Sequence, residues 1–163
     1  MNGDLTCFKS YDIRGDLTKN FDSDICYRIG RSFAMFLKAQ KVVVGRDARE
    51  SSPKLLDSVC RGLMDEGVNV LDIGLAGTEE MYWATTQYRA SGGIEVTASH
   101  NPINYNGMKI IKSNSRPLVR ETDFPINFFN TGSFVKYLPN INASPNNISV
   151  SYTHLTLPTN REV

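Results

Sequence analysis

The sequence predicts an α/β domain built in three layers, with helices on both faces of a mixed, mostly parallel sheet. Three observations predict it. Along residues 1–120, segments with apolar residues at helical spacing alternate with short runs rich in Val and Ile. Ser, Thr, Asp or Gly stands where each helical segment would start or stop. The resulting order, α-β-α-β-α-β-β, is one in which a crossover helix joins each early pair of strands.

Each element has its own justification. Asp22 or Ser23 is placed to cap a helix to about Ala39, which puts Ile25, Ile29, Phe33, Phe36 and Leu37 on one face. Lys41-Val-Val-Val-Gly45 is a β-branched run of the kind buried on both faces of a parallel sheet. Ser52 caps a second helix, Pro53 suits its first turn and Gly67 stops it, with Leu56, Val59, Cys60 and Leu63 as its apolar stripe. Val68–Ile73 is the next strand and Gly74–Gly77 a turn. Thr78 caps a third helix, and Glu79 and Glu80 in its first turn favour the helix dipole. Gly92-Gly93 ends that region, Ile94–Thr97 is a strand that opens into a polar loop, and Met108–Ile111 returns as another strand.

Composition narrows the function. Of the 163 residues, 40% are hydrophobic and 21% charged, as in a chain able to bury a core. Lys and Arg number 18 against 17 acidic residues, and a net charge of +1 makes no electrostatic case for nucleic acid or a membrane surface. Cys7, Cys26 and Cys60 are odd in number and lack C-x-x-C spacing, which points to buried thiols instead of disulfides or zinc. Met1–Lys9 lacks the basic-then-apolar build of a signal peptide, so a cytoplasmic location is expected.

Four segments carry chemistry. In Tyr11-Asp-Ile-Arg-Gly15, expected in a loop, Arg14 offers a guanidinium fork to phosphate or a partner to an aspartate. In Gly45-Arg-Asp-Ala-Arg49, just past a strand's carboxyl end, Arg46, Asp47 and Arg49 suit either a phosphate or the bracing of a nearby loop. Gly74-Leu-Ala-Gly-Thr-Glu-Glu80 reads as a structural turn, since Glu79 and Glu80 would repel an anion. The fourth is Thr97-Ala-Ser-His-Asn-Pro102, with Asn104-Tyr-Asn-Gly-Met-Lys109 behind it. Asn101, Pro102, Asn104, Asn106 and Gly107 favour tight turns, so this loop can present Ser99 in a fixed shape. On an extended backbone His100 points away from Ser99, and no G-x-S-x-G surrounds the serine, both of which argue against a serine hydrolase.

Together, in order and spacing across residues 5–119, the four segments resemble the amino-terminal domain of the α-D-phosphohexomutases, the bacterial phosphomannomutase/phosphoglucomutase enzymes. The resemblance implies a phosphohexomutase domain I fold and a cytoplasmic isomerase of carbohydrate metabolism. Ser99 would be the phosphoserine that donates its phosphoryl group to a mannose or glucose 1- or 6-phosphate. A hexose 1,6-bisphosphate intermediate would then return the other phosphoryl group. Lys109 would assist proton transfer, while Tyr11, Arg14, His100 and Asn101 would surround the substrate and its phosphate. Mg2+ would be held by Ser99 through its phosphate, together with an aspartate loop from another domain of the parent chain.

The chain also departs from that pattern. It contains no Asp-Gly-Asp-x-Asp-Arg sequence, and its last aspartate is Asp123. Residues 121–163 hold five of the 35 charged residues, together with Pro125, Pro139, Pro145, Pro158 and seven asparagines. That stretch is expected to be an irregular, non-family tail, with residues 150–163 resembling a translated sequencing adapter. The long helix expected after Pro117-Leu-Val119 is replaced by Phe124–Gly132, which is poor helix material and leaves the carboxyl-terminal part of the domain incomplete. The expectation is therefore a truncated first domain that does not turn over alone. The rival is a free-standing phosphate- or phosphosugar-binding module without catalysis.

Overall fold

A computed structural model of the chain describes residues 6–10, 12–117 and 152–154. Its elements run β1 (Ile13–Asp16), α1 (Ser23–Leu37), β2 (Lys41–Arg46), α2 (Ser52–Asp65), β3 (Asn69–Leu75), α3 (Thr78–Gln87), β4 (Gly92–Val96) and β5 (Tyr105–Lys112). A short 3-10 turn (Ser113–Ser115), β6 (Arg116–Pro117) and β7 (Tyr152–His154) follow. The sheet order is β1-β5-β4-β2-β3-β7, with β6 on β5. It is parallel in its centre, β4-β2-β3, and antiparallel where β5 meets β4 and β1. The α/β class and the mixed sheet agree with the sequence.

Alternate residues of the strands feed two cores. Val42, Val44, Ile94, Val96, Met108 and Ile110 pack with the α1 and α2 residues Ile29, Phe33, Leu56, Val59 and Leu63. Val43, Ile73 and Ile111 pack on the other face against Met81 and Ala84 of α3. Both predicted helical stripes are the buried faces. Cys7, Cys26 and Cys60 are buried thiols outside any disulfide, as expected, and burial pushes the Cys60 thiol up to about 12. No helix among the described residues is long and apolar enough to cross a membrane.

Several boundaries differ from the sequence expectation, each for a local reason. The Tyr11–Gly15 segment is not all loop, because residues 13–16 pair with β5 as an edge strand. Helix α1 is capped by Asp22, whose carboxylate accepts from Ile25 N at 2.9 Å, and it ends before the left-handed Lys38. Ser52 is not a cap: Ser51 holds that position, and the buried Ser52 hydroxyl donates to Asp47 Oδ1 at 2.6 Å. Gly77, not Thr78, precedes α3, and its N–H donates to Glu80 Oε2 at 2.5 Å. Gly92-Gly93 opens β4 instead of ending the helical region. Side chains at these two positions would collide with Phe33 of α1 and with Met81 and Thr85 of α3, so the glycines let both helices press on the strand. Within the expected irregular tail, residues 152–154 form a strand parallel to β3. The expected missing helix lies outside the described residues.

Candidate active site: the serine loop between β4 and β5

Residues 97–104 join β4 to β5 in a loop held from within. Asn101 donates to Ala98 O twice, from its backbone N at 3.1 Å and from Nδ2 at 2.8 Å. Ser99 N donates to Thr97 Oγ1 at 3.0 Å. Ser99 itself sits in the left-handed region, with φ 54°. A non-glycine residue held there costs about 1–2 kcal/mol, so the surrounding bonds must fix it.

The brace comes from the β2–α2 turn. The Arg49 guanidinium donates to four carbonyls of the loop and its exit: Ser99 at 3.1 Å, Asn101 at 2.6 Å, Pro102 at 2.9 Å and Tyr105 at 3.2 Å. Asp47 orients it, with Oδ2 in an ion pair 3.3 Å from Arg49 Nε and Oδ1 accepting from Arg49 N at 3.0 Å. Of the two roles open for this segment, Arg49 therefore performs the bracing one. Arg46 donates to Asp47 O at 3.3 Å. Asn106 adds a second tie, fully buried in β5, with Nδ2 donating to the hydroxyls of Ser51 at 2.8 Å and Ser52 at 3.0 Å. Asn106 and Gly107 are thus strand residues and not part of a turn. A side chain at Gly107 would strike the Ile13 carbonyl, which is why β1 can lie so close.

The left-handed turn corrects the expectation for His100. Its Nδ1 lies 3.0 Å from Ser99 Oγ, in hydrogen-bond contact, because the backbone at Ser99 is not extended. Among the described residues no carboxylate bonds His100 in turn, so they supply no third member of a hydrolase triad.

Lys109 lies on β5 directly opposite Glu95 of β4 and is half-buried. Among the described residues no hydrogen bond or ion pair joins it to Ser99. Arg14 pairs with Gly107, donates from Nε to Asp12 Oδ2 at 2.6 Å, and lines one cavity with Asn101 and Tyr105. Arg14 and Asn101 thus line one cavity, and Ser99 and His100 stand in the same loop as Asn101. Tyr11 lies outside the described residues.

Glu95 was missed by the sequence reading. It is 1% exposed, and neither carboxyl oxygen has a hydrogen-bond partner among the described residues. Burial pushes its carboxyl up to about 9. Asp47, Glu80 and Asp72 push the same way, while Arg46 opposes them. The carboxyl leans over Gly45, where a side chain would occupy its place. An acidic residue flanked by Ile94 and Val96 in a strand gave no sign that its side chain would be dry.

Comparison with known proteins places this geometry. Residues 6–129 match the family model for phosphoglucomutase/phosphomannomutase, α/β/α domain I. A phosphomannomutase of Klebsiella pneumoniae is 58% identical over 118 residues, 72% of this chain and 75% of that protein. One from Escherichia coli is also 58% identical over 118 residues, but these are 26% of its length. The chain therefore spans about a quarter of that longer relative. The crystal structure of a phosphoglucomutase/phosphomannomutase family protein from Burkholderia thailandensis superposes with a TM-score of 0.71 at 32% identity, covering 82% of this chain and 31% of that one. A structure from Thermus thermophilus shares the fold, with a TM-score of 0.72 at 22% identity, covering 94% of this chain and 34% of that one. The motifs at β1, at the β2–α2 turn and in the serine loop all fall inside the matched span, and this chain belongs to the phosphoglucomutase/phosphomannomutase family.

Proposed function

We propose that this chain is the phosphoryl-carrying domain of a phosphohexomutase that interconverts hexose 1-phosphate and hexose 6-phosphate. The single observation that carries the proposal is Ser99, exposed on a braced left-handed turn within bonding reach of His100. In the reaction proposed, a sugar hydroxyl attacks the phosphorus on Ser99. The bond from phosphorus to Oγ breaks, and a hexose 1,6-bisphosphate forms. Ser99 Oγ then attacks the other phosphate and regains a phosphoryl group, releasing the isomeric monophosphate. His100 is placed to give the departing Oγ a proton and take it back. Lys109 takes the proton of the attacking hydroxyl and returns it in the second transfer, and Arg14 supplies positive charge for the transferred group, since such transfers depend mainly on position and electrostatics. The names borne by the relatives favour mannose phosphates as substrates.

Magnesium is the ion expected for this chemistry, where it would neutralise the oxygens of the transferred group. The described residues do not fit it alone: none form a group of three or more His, Cys, Asp or Glu side chains able to hold a metal. Ser99 offers one oxygen, whereas magnesium takes carboxylates or several phosphate oxygens besides its waters. We propose that the missing carboxylates come from the part of the protein lying beyond this match.

A graft tests the reading. Residues 6–117 should replace the matching segment of the Escherichia coli phosphomannomutase with conversion of mannose 1-phosphate retained, and Ser99→Ala in the graft should abolish it. Full activity in the alanine variant would remove Ser99 from the carrier role.

A further inference from the structure

Behind the serine loop, the hydroxyl of Ser52 stands where α2, β5 and the β2–α2 turn meet. Ser52 is the first residue of α2 and is wholly buried. Its O–H donates to Asp47 Oδ1 at 2.6 Å, and the same oxygen accepts from Asn106 Nδ2 of β5 at 3.0 Å. Its backbone N donates to Arg49 O at 3.0 Å and so closes the turn. Asn106 Nδ2 also donates to Ser51 Oγ at 2.8 Å, and Asn106 Oδ1 accepts from Gly107 N at 2.8 Å. On the far side of Ser52, the Asp47 carboxylate meets Arg49 at both N and Nε, and Arg49 donates to the carbonyls of Ser99, Asn101, Pro102 and Tyr105. The contacts run unbroken from β5 to the turn that carries Ser99.

We propose that Ser52 is a positioning residue for Ser99, acting through Asp47 and Arg49 without touching any reacting group. A carboxylate that aims a guanidinium must have its own direction fixed. Among the described residues Ser52 is the one side chain other than Arg49 that bonds the Asp47 carboxylate. Without the hydroxyl, Asp47 keeps only the group it orients, and the two can turn as one body. Asn106 fixes the hydroxyl in turn, and a buried network with every member satisfied is stiff along its whole length. The left-handed backbone of Ser99 makes the loop depend on that stiffness, because an unsupported serine there relaxes towards commoner backbone angles. Ser51 supplies the contrast. It accepts from the same Asn106 Nδ2, yet among the described residues no hydrogen bond joins it to Asp47.

The effect on rate rests on the proposed function, whereas the posture of the loop can be read without turnover. Alanine suits the first turn of a helix, so Ser52→Ala should leave α2 intact. In the graft, Ser52→Ala should lower kcat roughly tenfold or more with KM little changed, because a carrier oxygen out of line is felt in the transition state and not in binding. Ser51→Ala should cost far less. In the Arg49→Ala background, Ser52→Ala should add little further loss, as for residues that act as a unit. In the whole 163-residue chain, Ser52→Ala should speed hydrogen exchange at Ser99 N and Asn101 N roughly tenfold, and Ser51→Ala should not. Unchanged exchange at both amides in Ser52→Ala, or a rate loss that adds in full to that of Arg49→Ala, would overturn the proposal. A graft without turnover while Ser52 is in place would count against the proposed function alone, and the exchange rates would still decide the role of Ser52.

Discussion

Glu95 shows how one residue can set the pH response of a domain. Its carboxyl is dry, unpartnered among the described residues and surrounded by more carboxylates than cations, so the native state keeps its proton to about pH 9. The unfolded chain gives that proton up in the ordinary carboxylate range near 4.5. Between these values the native state binds more protons, and stability falls as pH rises, by at most about 1.4 kcal/mol per unit. The stability from neutral Glu95 is full below the ordinary range and is lost as pH climbs through it towards 9. Glu95→Gln keeps the neutral shape, so its stability advantage over the wild type should grow between about pH 6 and pH 8. Parallel denaturation curves for the two proteins across that range would refute this account. Lys109, across the ladder from Glu95, calls for a kinetic test. In the grafted enzyme Lys109→Ala should lower kcat by about 10²–10⁴, the usual worth of a proton-transferring group, with little change in melting temperature. A large fall in melting temperature with kcat preserved would make it a structural strand lysine.

At the scale of elements, the serine loop depends on a residue outside it. Arg49 meets four carbonyls with two terminal nitrogens, a pattern only a planar fork can make. In the grafted enzyme Arg49→Ala should cost about 10²-fold in rate, because a serine displaced by about 1 Å loses its line to the phosphorus. Stability should fall by about 1–3 kcal/mol, as the carbonyls lose their donors. Arg49→Lys should restore little of the rate, since one ammonium cannot span the four oxygens. A fully active Arg49→Lys variant would show that charge alone suffices. The helices and the centre of the sheet were legible because their apolar residues recur at helical and strand periods, which local sequence records. What was not legible arose from contacts distant in sequence. The pairing of Arg14 with Gly107 turned an expected loop into β1, and Gly92-Gly93 looked like a helix stop until two helices were seen to press on them. The arginine of Gly45-Arg-Asp-Ala-Arg49 allowed either a ligand or a brace. The distinction lies in carbonyls that are 50 and 52 residues away along the chain.

For the whole molecule, the proposed carrying of phosphoryl on Ser99 is separable from completing a catalytic cycle. The chain matches about a quarter of the longer Escherichia coli relative, and its described residues hold no metal cluster. A transferring phosphoryl group spreads charge over three oxygens. Within this chain His100, Lys109 and Arg14 are the groups proposed to meet it. In the proposed reaction the sugar must also be held so that first one and then the other end faces Ser99. An open cavity on one edge of a single sheet does not enclose a hexose from its opposite side. Without that enclosure the reacting atoms lose the proximity that supplies several orders of magnitude in rate. The purified 163-residue chain, given mannose 1-phosphate, the matching 1,6-bisphosphate and magnesium, should therefore show no sustained formation of mannose 6-phosphate. The graft carrying the same residues 6–117 should turn over under the same conditions. Sustained conversion by the chain alone would mean that its own residues supply the metal ligands and the clamp, and would overturn the division of labour argued here.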